Sequence, residues 1–223
     1  MSAMRLTWLL LRKDLAIAAR SREVPGLMLM FALLCVVVFA FGFLHRGDAA
    51  ATHVPGVLWV TLLFSSTVGL LRLFAAEEEA GALDLMARTA AGTQPLFWSK
   101  AALQLLFSGA VTVLLLPLVL VLFDARLLRP GWVISALGLG LVGQALLGTL
   151  ASAWMAQVRL REVLLPLVLY PLLAPLLLAG VQITALASTG APSEALQGWL
   201  GLLLALDALA VVLCPWLFSR VVS

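Results

Sequence analysis

Charge is what this sequence has least of. Asp, Glu, Lys and Arg make up 11% of its 223 residues, against about 25% in an ordinary soluble domain. With 63% hydrophobic residues and a mean hydropathy of +1.12, the chain has too little polar surface for a water-soluble fold. The bilayer must be the solvent for most of it. Cysteine and histidine are scarce too, two of each. Cys35 and Cys214 lie inside apolar runs, which argues against a disulfide framework or zinc cluster and for plain packing. No Cys-x-x-Cys-His occurs, so no haem is held covalently in the c-type manner. His45 and His53 flank a short connection and read as polar loop residues rather than ligands of iron or another metal. Also absent are a His-Glu-x-x-His zinc site, a Gly-x-Ser-x-Gly elbow and a phosphate-binding Gly-x-x-x-x-Gly-Lys loop. We therefore expect no catalytic site, no bound cofactor, and no ATP hydrolysis by this chain. The net charge of +3 invites no nucleic acid; basic loops at a membrane surface account for it.

What is present is length of apolar run. A helix crosses the hydrocarbon with about 20 apolar residues. The stretches Val24–Leu44, Pro55–Phe74, Phe97–Phe123, Trp132–Ala156, Val163–Ala187 and Trp199–Phe218 each suffice, which predicts a single all-α transmembrane domain of six helices. Of the fourteen Lys and Arg residues, eleven fall on one side of these spans. They are Arg5, Arg12, Lys13, Arg20, Arg22, Arg72, Arg88, Lys100, Arg159, Arg161 and Arg220. Arg46, Arg126 and Arg129 fall on the other. The positive-inside rule then puts both termini in the cytoplasm. Trp59, Trp98, Trp132, Trp154, Trp199 and Trp216 lie toward span ends, where an aromatic belt would place them.

The segment before Val24 is mixed polar and leads straight into a full-length span, unlike a cleaved signal peptide. On a helical wheel Met4, Trp8, Leu11, Leu15 and Ala18 share one stripe, with Leu6, Leu10 and Ile17 beside it, and Arg5, Arg12, Lys13 and Arg20 gather opposite. This predicts an interfacial helix over about residues 3–22. Thr7 and Asp14 interrupt its apolar side. The long connection between spans two and three carries Glu77, Glu78 and Glu79, then Gly81, Leu83, Asp84 and Met86. Its residues fit either a solvated acidic turn or a short helix offered to a cytoplasmic partner.

Two features inside the spans stand out. Pro166, Pro171 and Pro175 interrupt the fifth, which is expected to be kinked or broken and covered by protein or water. Asp207 sits near the middle of the sixth. A carboxylate there costs about 2.5–3.5 kcal/mol on insertion scales, so it should face protein or a cavity, in a functional or a purely structural role.

Several of these residues together resemble the CcmB family. They are Pro55-Gly56-x-x-Trp59, Ser65-Ser66, Arg72-Leu73-Phe74, the glutamate cluster, Gly81-x-Leu83-Asp84, Pro171-Leu172-x-x-Pro175-Leu176-Leu177 and Pro215. Their order and spacing carry the resemblance, which runs from about residue 5 to the C-terminus. Family members often show Asp-Gly-x-Leu-Glu where this chain has Ala80-Gly81-Ala82-Leu83-Asp84. The resemblance implies the permease subunit of an ABC-type complex for cytochrome c maturation in the bacterial inner membrane. Glu77, Glu78, Glu79, Gly81, Leu83 and Asp84 would then form a coupling helix against a cytoplasmic, CcmA-like ATPase that binds the ATP. A CcmC-like membrane subunit would handle haem, a small CcmD-like single-span protein would accompany it, and haem would pass to a periplasmic chaperone. The resemblance gives Asp207 no role. An ABC-2 permease for a drug or polysaccharide, or a scaffold holding haem-handling subunits, would share these features.

Overall fold

The computed structural model describes residues 3–44, 50–75, 77, 93–156, 158 and 160–222, without the side chains of 44, 50 and 222. Among these residues the regular structure is helical throughout. Helix α1 spans Ala3–Ser21 and α2 Glu23–Leu44. A 3-10 turn at Ala50–His53 leads into α3, Val54–Arg72. Then come α4 (Gln94–Leu122), α5 (Pro130–Met155), α6 (Arg161–Ser188) and α7 (Ser193–Val222). The last six are long and apolar enough to cross a membrane. The short helix expected between spans two and three falls outside the described residues.

Local sequence explains the boundaries. Proline opens α3, α4 and α5 in the first turn, where its missing N–H costs nothing. Left-handed residues mark the exits: Arg22 (φ 53°) between α1 and α2, Asp124 (φ 47°) after α4 and Gly190 (φ 75°) after α6. Helix α7 starts at Ser193 rather than at Trp199, because Ser193 and Glu194 provide a polar, acidic first turn that an apolar count overlooks.

Helices α3 and α5 are the buried centre, and α2, α4, α6 and α7 show most of their surface outward. Without a hydrophobic drive between helices in lipid, small residues and hydrogen bonds must hold them together. Trp59 shows how. Its indole is 2% exposed and lies against Gly140 of α5 and Gly180 of α6, where a Cβ would stand 2.4 and 2.3 Å from the ring. Its Nε1 donates to Thr184 Oγ1 at 3.0 Å. Trp59 is thus a core knob and not part of an aromatic belt, whereas Trp98, Trp154 and Trp216 are exposed. Between α3 and α4, Gln104 Nε2 donates to Ser66 Oγ (2.9 Å), and also to Ser108 Oγ on its own helix (3.1 Å), while Ser65 Oγ donates to the Met28 carbonyl of α2 at 2.8 Å.

The fifth span, expected to be kinked or broken, is not broken. Helix α6 runs uninterrupted from Arg161 to Ser188 with all three prolines inside it. Leu165, Leu169, Leu173, Leu176, Ala179 and Ile183 form a fully buried stripe against α3, α5 and α7. That packing outweighs the lost backbone bonds. The prolines lie off the stripe: Pro166 is half-buried, and Pro171 and Pro175 are exposed.

Candidate functional site

At one end of the bundle the scarce charges converge. Lys13 and Asp14 come from α1, Glu77 lies just beyond α3, and Lys100 sits in the second turn of α4. Lys100 Nζ lies 2.9 Å from Asp14 Oδ2 and 2.7 Å from Glu77 Oε2. Lys13 Nζ lies 3.1 Å from Asp14 Oδ1 and 3.0 Å from Glu77 Oε1. Cation and anion alternate around a closed, neutral ring of four. Three members are buried; only the Lys13 side chain, 45% exposed, reaches the outside.

Aromatic rings seal the inner side. The Phe74 ring centroid is 5.7 Å from Lys100 Nζ, a cation–π distance. Phe218, near the end of α7, stacks on Phe74 with ring centroids 6.1 Å apart and meets Phe97 in a tilted contact at 5.2 Å. The ring therefore joins α1, the end of α3, the start of α4 and, through the phenylalanines, the end of α7. Burial opposes the charge on Glu77, but the ammoniums of Lys100 and Lys13 outweigh it and hold the carboxyl below its ordinary range. Burial opposes Lys13 as well, yet hydrogen bonds and charge from Glu77 and Asp14 lift it above its ordinary range.

The ring rotates the reading of α1. Leu11 and Asp14 are its buried residues, flanked by half-buried Thr7, Leu10, Leu15 and Ala18, while Met4 and Trp8 are exposed. Thr7 and Asp14, blemishes on an apolar stripe, belong to the protein-facing side. Glu77 is likewise buried, 2% exposed. Glu78, Glu79, Gly81, Leu83 and Asp84 lie outside the described residues. Lys13, Asp14 and Lys100 were not singled out as partners from the sequence. The signals were there, however: a carboxylate on an apolar stripe and a lysine inside an otherwise uncharged span.

The other candidates lie apart from the ring. Asp207 is 6% exposed and packed against Gly143, and neither carboxylate oxygen has a hydrogen-bond partner among the described residues. It is eleven residues before Phe218 on α7, about 16 Å along the helix axis. His53 stacks on Phe43 at 4.2 Å at the opposite end of the bundle, and His45 is outside the described residues. That end also carries the Arg129–Ser193 hydrogen bond of 2.8 Å. Cys35 and Cys214 are free thiols. Among the described residues no group of three or more His, Cys, Asp or Glu side chains could hold a metal ion.

Known proteins share this chain's features. It is 36% identical over 143 residues to heme exporter protein B of Paracoccus denitrificans (strain Pd 1222), covering 62% of this chain and 63% of that protein. It is 32% identical over 138 residues to heme exporter protein B of Rhodobacter capsulatus, again covering 62% of this chain and 63% of the relative. The alignment thus spans a little under two thirds of either relative. A family match covers residues 5–223, the α1 ring residues, both central helices and α7 included, and on that match the chain belongs to the CcmB protein family.

Proposed function

We propose that this multi-pass membrane protein is the permease subunit of a haem-exporting ABC complex in the bacterial inner membrane. It would couple ATP hydrolysis by a separate ATPase to haem delivery on the far side. The chain itself performs no catalysis on this reading, and haem is cargo of the assembly. Family membership and the two heme exporter protein B relatives support the cargo class. The distribution of Lys and Arg supports cytoplasmic termini, because the charge ring, α1 and Arg220 fall on the basic side.

The single observation that carries the coupling reading is the ring. A membrane subunit can be driven by an ATPase only through a segment whose root does not yield. The connection 78–92 follows directly on Glu77, which two ammoniums hold at 2.7 and 3.0 Å. Motion of that connection is thereby tied to α1, to α4 and, through Phe74 and Phe218, to α7. The acidic–Gly–x–Leu–Asp segment that follows is then the ATPase contact, with Glu78, Glu79, Gly81, Leu83 and Asp84 on it. The CcmC-like and CcmD-like proteins remain partners implied by the family.

The test is co-purification of the ATPase in mild detergent together with a c-type cytochrome assay. Gly81→Trp should cut ATPase recovery several-fold while membrane insertion stays normal. Undiminished recovery and activity would refute the coupling role. Reporter fusions after Gly92, Arg161 and Ser223 should read as cytoplasmic, and those after Asp48, Arg129 and Ser193 as periplasmic. Deletion that spares c-type cytochromes would point to another cargo.

A further inference from the structure

Beneath α1, beside the charge ring, lies a cavity of about 100 Å³ open on one side. Its walls are apolar, with Ile17 and Val24 from the N-terminal helices and Leu73, Leu103 and Phe107 from α3 and α4. Arg72 closes the polar end with Asp14 and Lys100. Asp14 and Lys100 belong to a ring that is already neutral, two ammoniums on two carboxylates. The cavity's net charge is therefore that of Arg72 alone. Arg72 has no ion-pair or hydrogen-bond partner among the described residues. Ile17 and Ser21 also border a second, wider hollow of about 550 Å³ on the outer side of α1, where Arg20 supplies another exposed cation.

The position is as informative as the charge. A helix with an exposed basic face at the root of the spans lies at the depth of lipid phosphates, and guanidinium binds phosphate through paired N–H groups. Water-sized space of this amount suits a phosphate and the first glycerol oxygens, not a whole lipid. The open side and the neighbouring hollow leave room for the rest. We propose that the cavity under α1 binds a glycerophospholipid of single negative charge, its phosphodiester on Arg72 and its glycerol among Ile17, Leu103 and Phe107. Such a lipid fills the gap between α1 and the spans and fixes the interfacial helix from the side the ring does not reach.

The experiment uses the full chain, delipidated in detergent and offered phosphatidylglycerol or phosphatidylcholine at matched concentration, read by native mass spectrometry. The first phosphatidylglycerol adduct should exceed the phosphatidylcholine adduct about fivefold, the order set by one basic residue at an anionic surface. Arg72→Gln should bring the ratio near one, and Arg72→Lys should keep most of it. Ala18→Trp fills the cavity without touching a charge and should also lower the adduct. A wild-type ratio near one overturns the proposal. So does loss in Arg72→Gln with full retention in Ala18→Trp, which would mean attraction to surface charge without a cavity site. Displacement of the lipid by inorganic phosphate would make this a free-anion site and overturn the lipid assignment; persistence in excess phosphate supports it.

Discussion

Lys100 and Glu77 meet at 2.7 Å with both side chains 2–3% exposed, so two of the chain's few charges neutralise each other out of reach of water. Removing one partner of such a pair leaves an uncompensated buried charge, at a cost of about 3–5 kcal/mol. Lys100→Met leaves one carboxylate more than Lys13 can balance. It should lower the unfolding midpoint in detergent markedly. The double variant Lys100→Met with Glu77→Leu restores neutrality, since Asp14 keeps Lys13, and should cost less than Lys100→Met alone. Thermal unfolding of the three proteins checks this; additive losses would mean that the ring is not coupled.

The ring also sets a pH window. Glu77 is held below its ordinary value of 4.5, so its contribution is complete above that value and is lost as pH falls through the depressed one. Lys13 is held above its ordinary 10.5, so its contribution is complete below 10.5 and is lost as pH rises through the raised value. The docking of α1 should therefore be constant through the neutral range and loosen only outside it. A nitroxide at exposed Ala16 should stay immobile from about pH 5 to 10 and gain mobility beyond either end. Glu77→Gln should abolish the acid step, and a step persisting in that variant would assign it elsewhere.

Glycines should divide by what lies opposite them. At Gly180 a Cβ would stand 2.3 Å from Trp59, in a crossing fixed by the Thr184 hydrogen bond. Gly180→Ala should cost about 1–3 kcal/mol, as overpacking does. Gly26 and Gly201 have nothing within 4 Å. There alanine should be neutral or should stabilise by up to about 1 kcal/mol through helix propensity. Thermal unfolding of the three variants in one detergent makes the comparison.

The spans, their number and the ends of most of them were legible because hydrocarbon imposes one demand, about twenty apolar residues per crossing. Which face of each helix points inward was not. Trp59 looked like a belt residue because its place near a span end says nothing of Gly140 and Gly180 on two other helices. Pro171 and Pro175 looked like a break because sequence cannot weigh a lost backbone bond against the stripe from Leu165 to Ile183. Asp14 looked like a flaw in an amphipathic helix because Lys100, which pairs with it along with the adjacent Lys13, is 86 residues away. Long-range pairing decides each of these, and periodicity within one helix cannot report it.

Asp207 supplies the sharpest remaining test. Its carboxylate is buried in the bundle with neither oxygen hydrogen-bonded among the described residues, and it fits only because Gly143 has no Cβ, which would come within 2.4 Å of it. It has no contact with the ring, and family resemblance assigns it nothing. A carboxylate held in a span costs about 2.5–3.5 kcal/mol to insert, and no hydrogen bond from the described residues offsets that. Asp207→Asn keeps the shape and should leave ATPase recovery and cytochrome maturation unchanged. Asp207→Leu removes the insertion cost with a side chain of similar length, and should raise the yield of folded protein at equal activity. If Asp207→Asn instead abolishes maturation while the complex still assembles, the carboxylate acts on cargo or water in the bundle. A structural role for Asp207 would then be refuted.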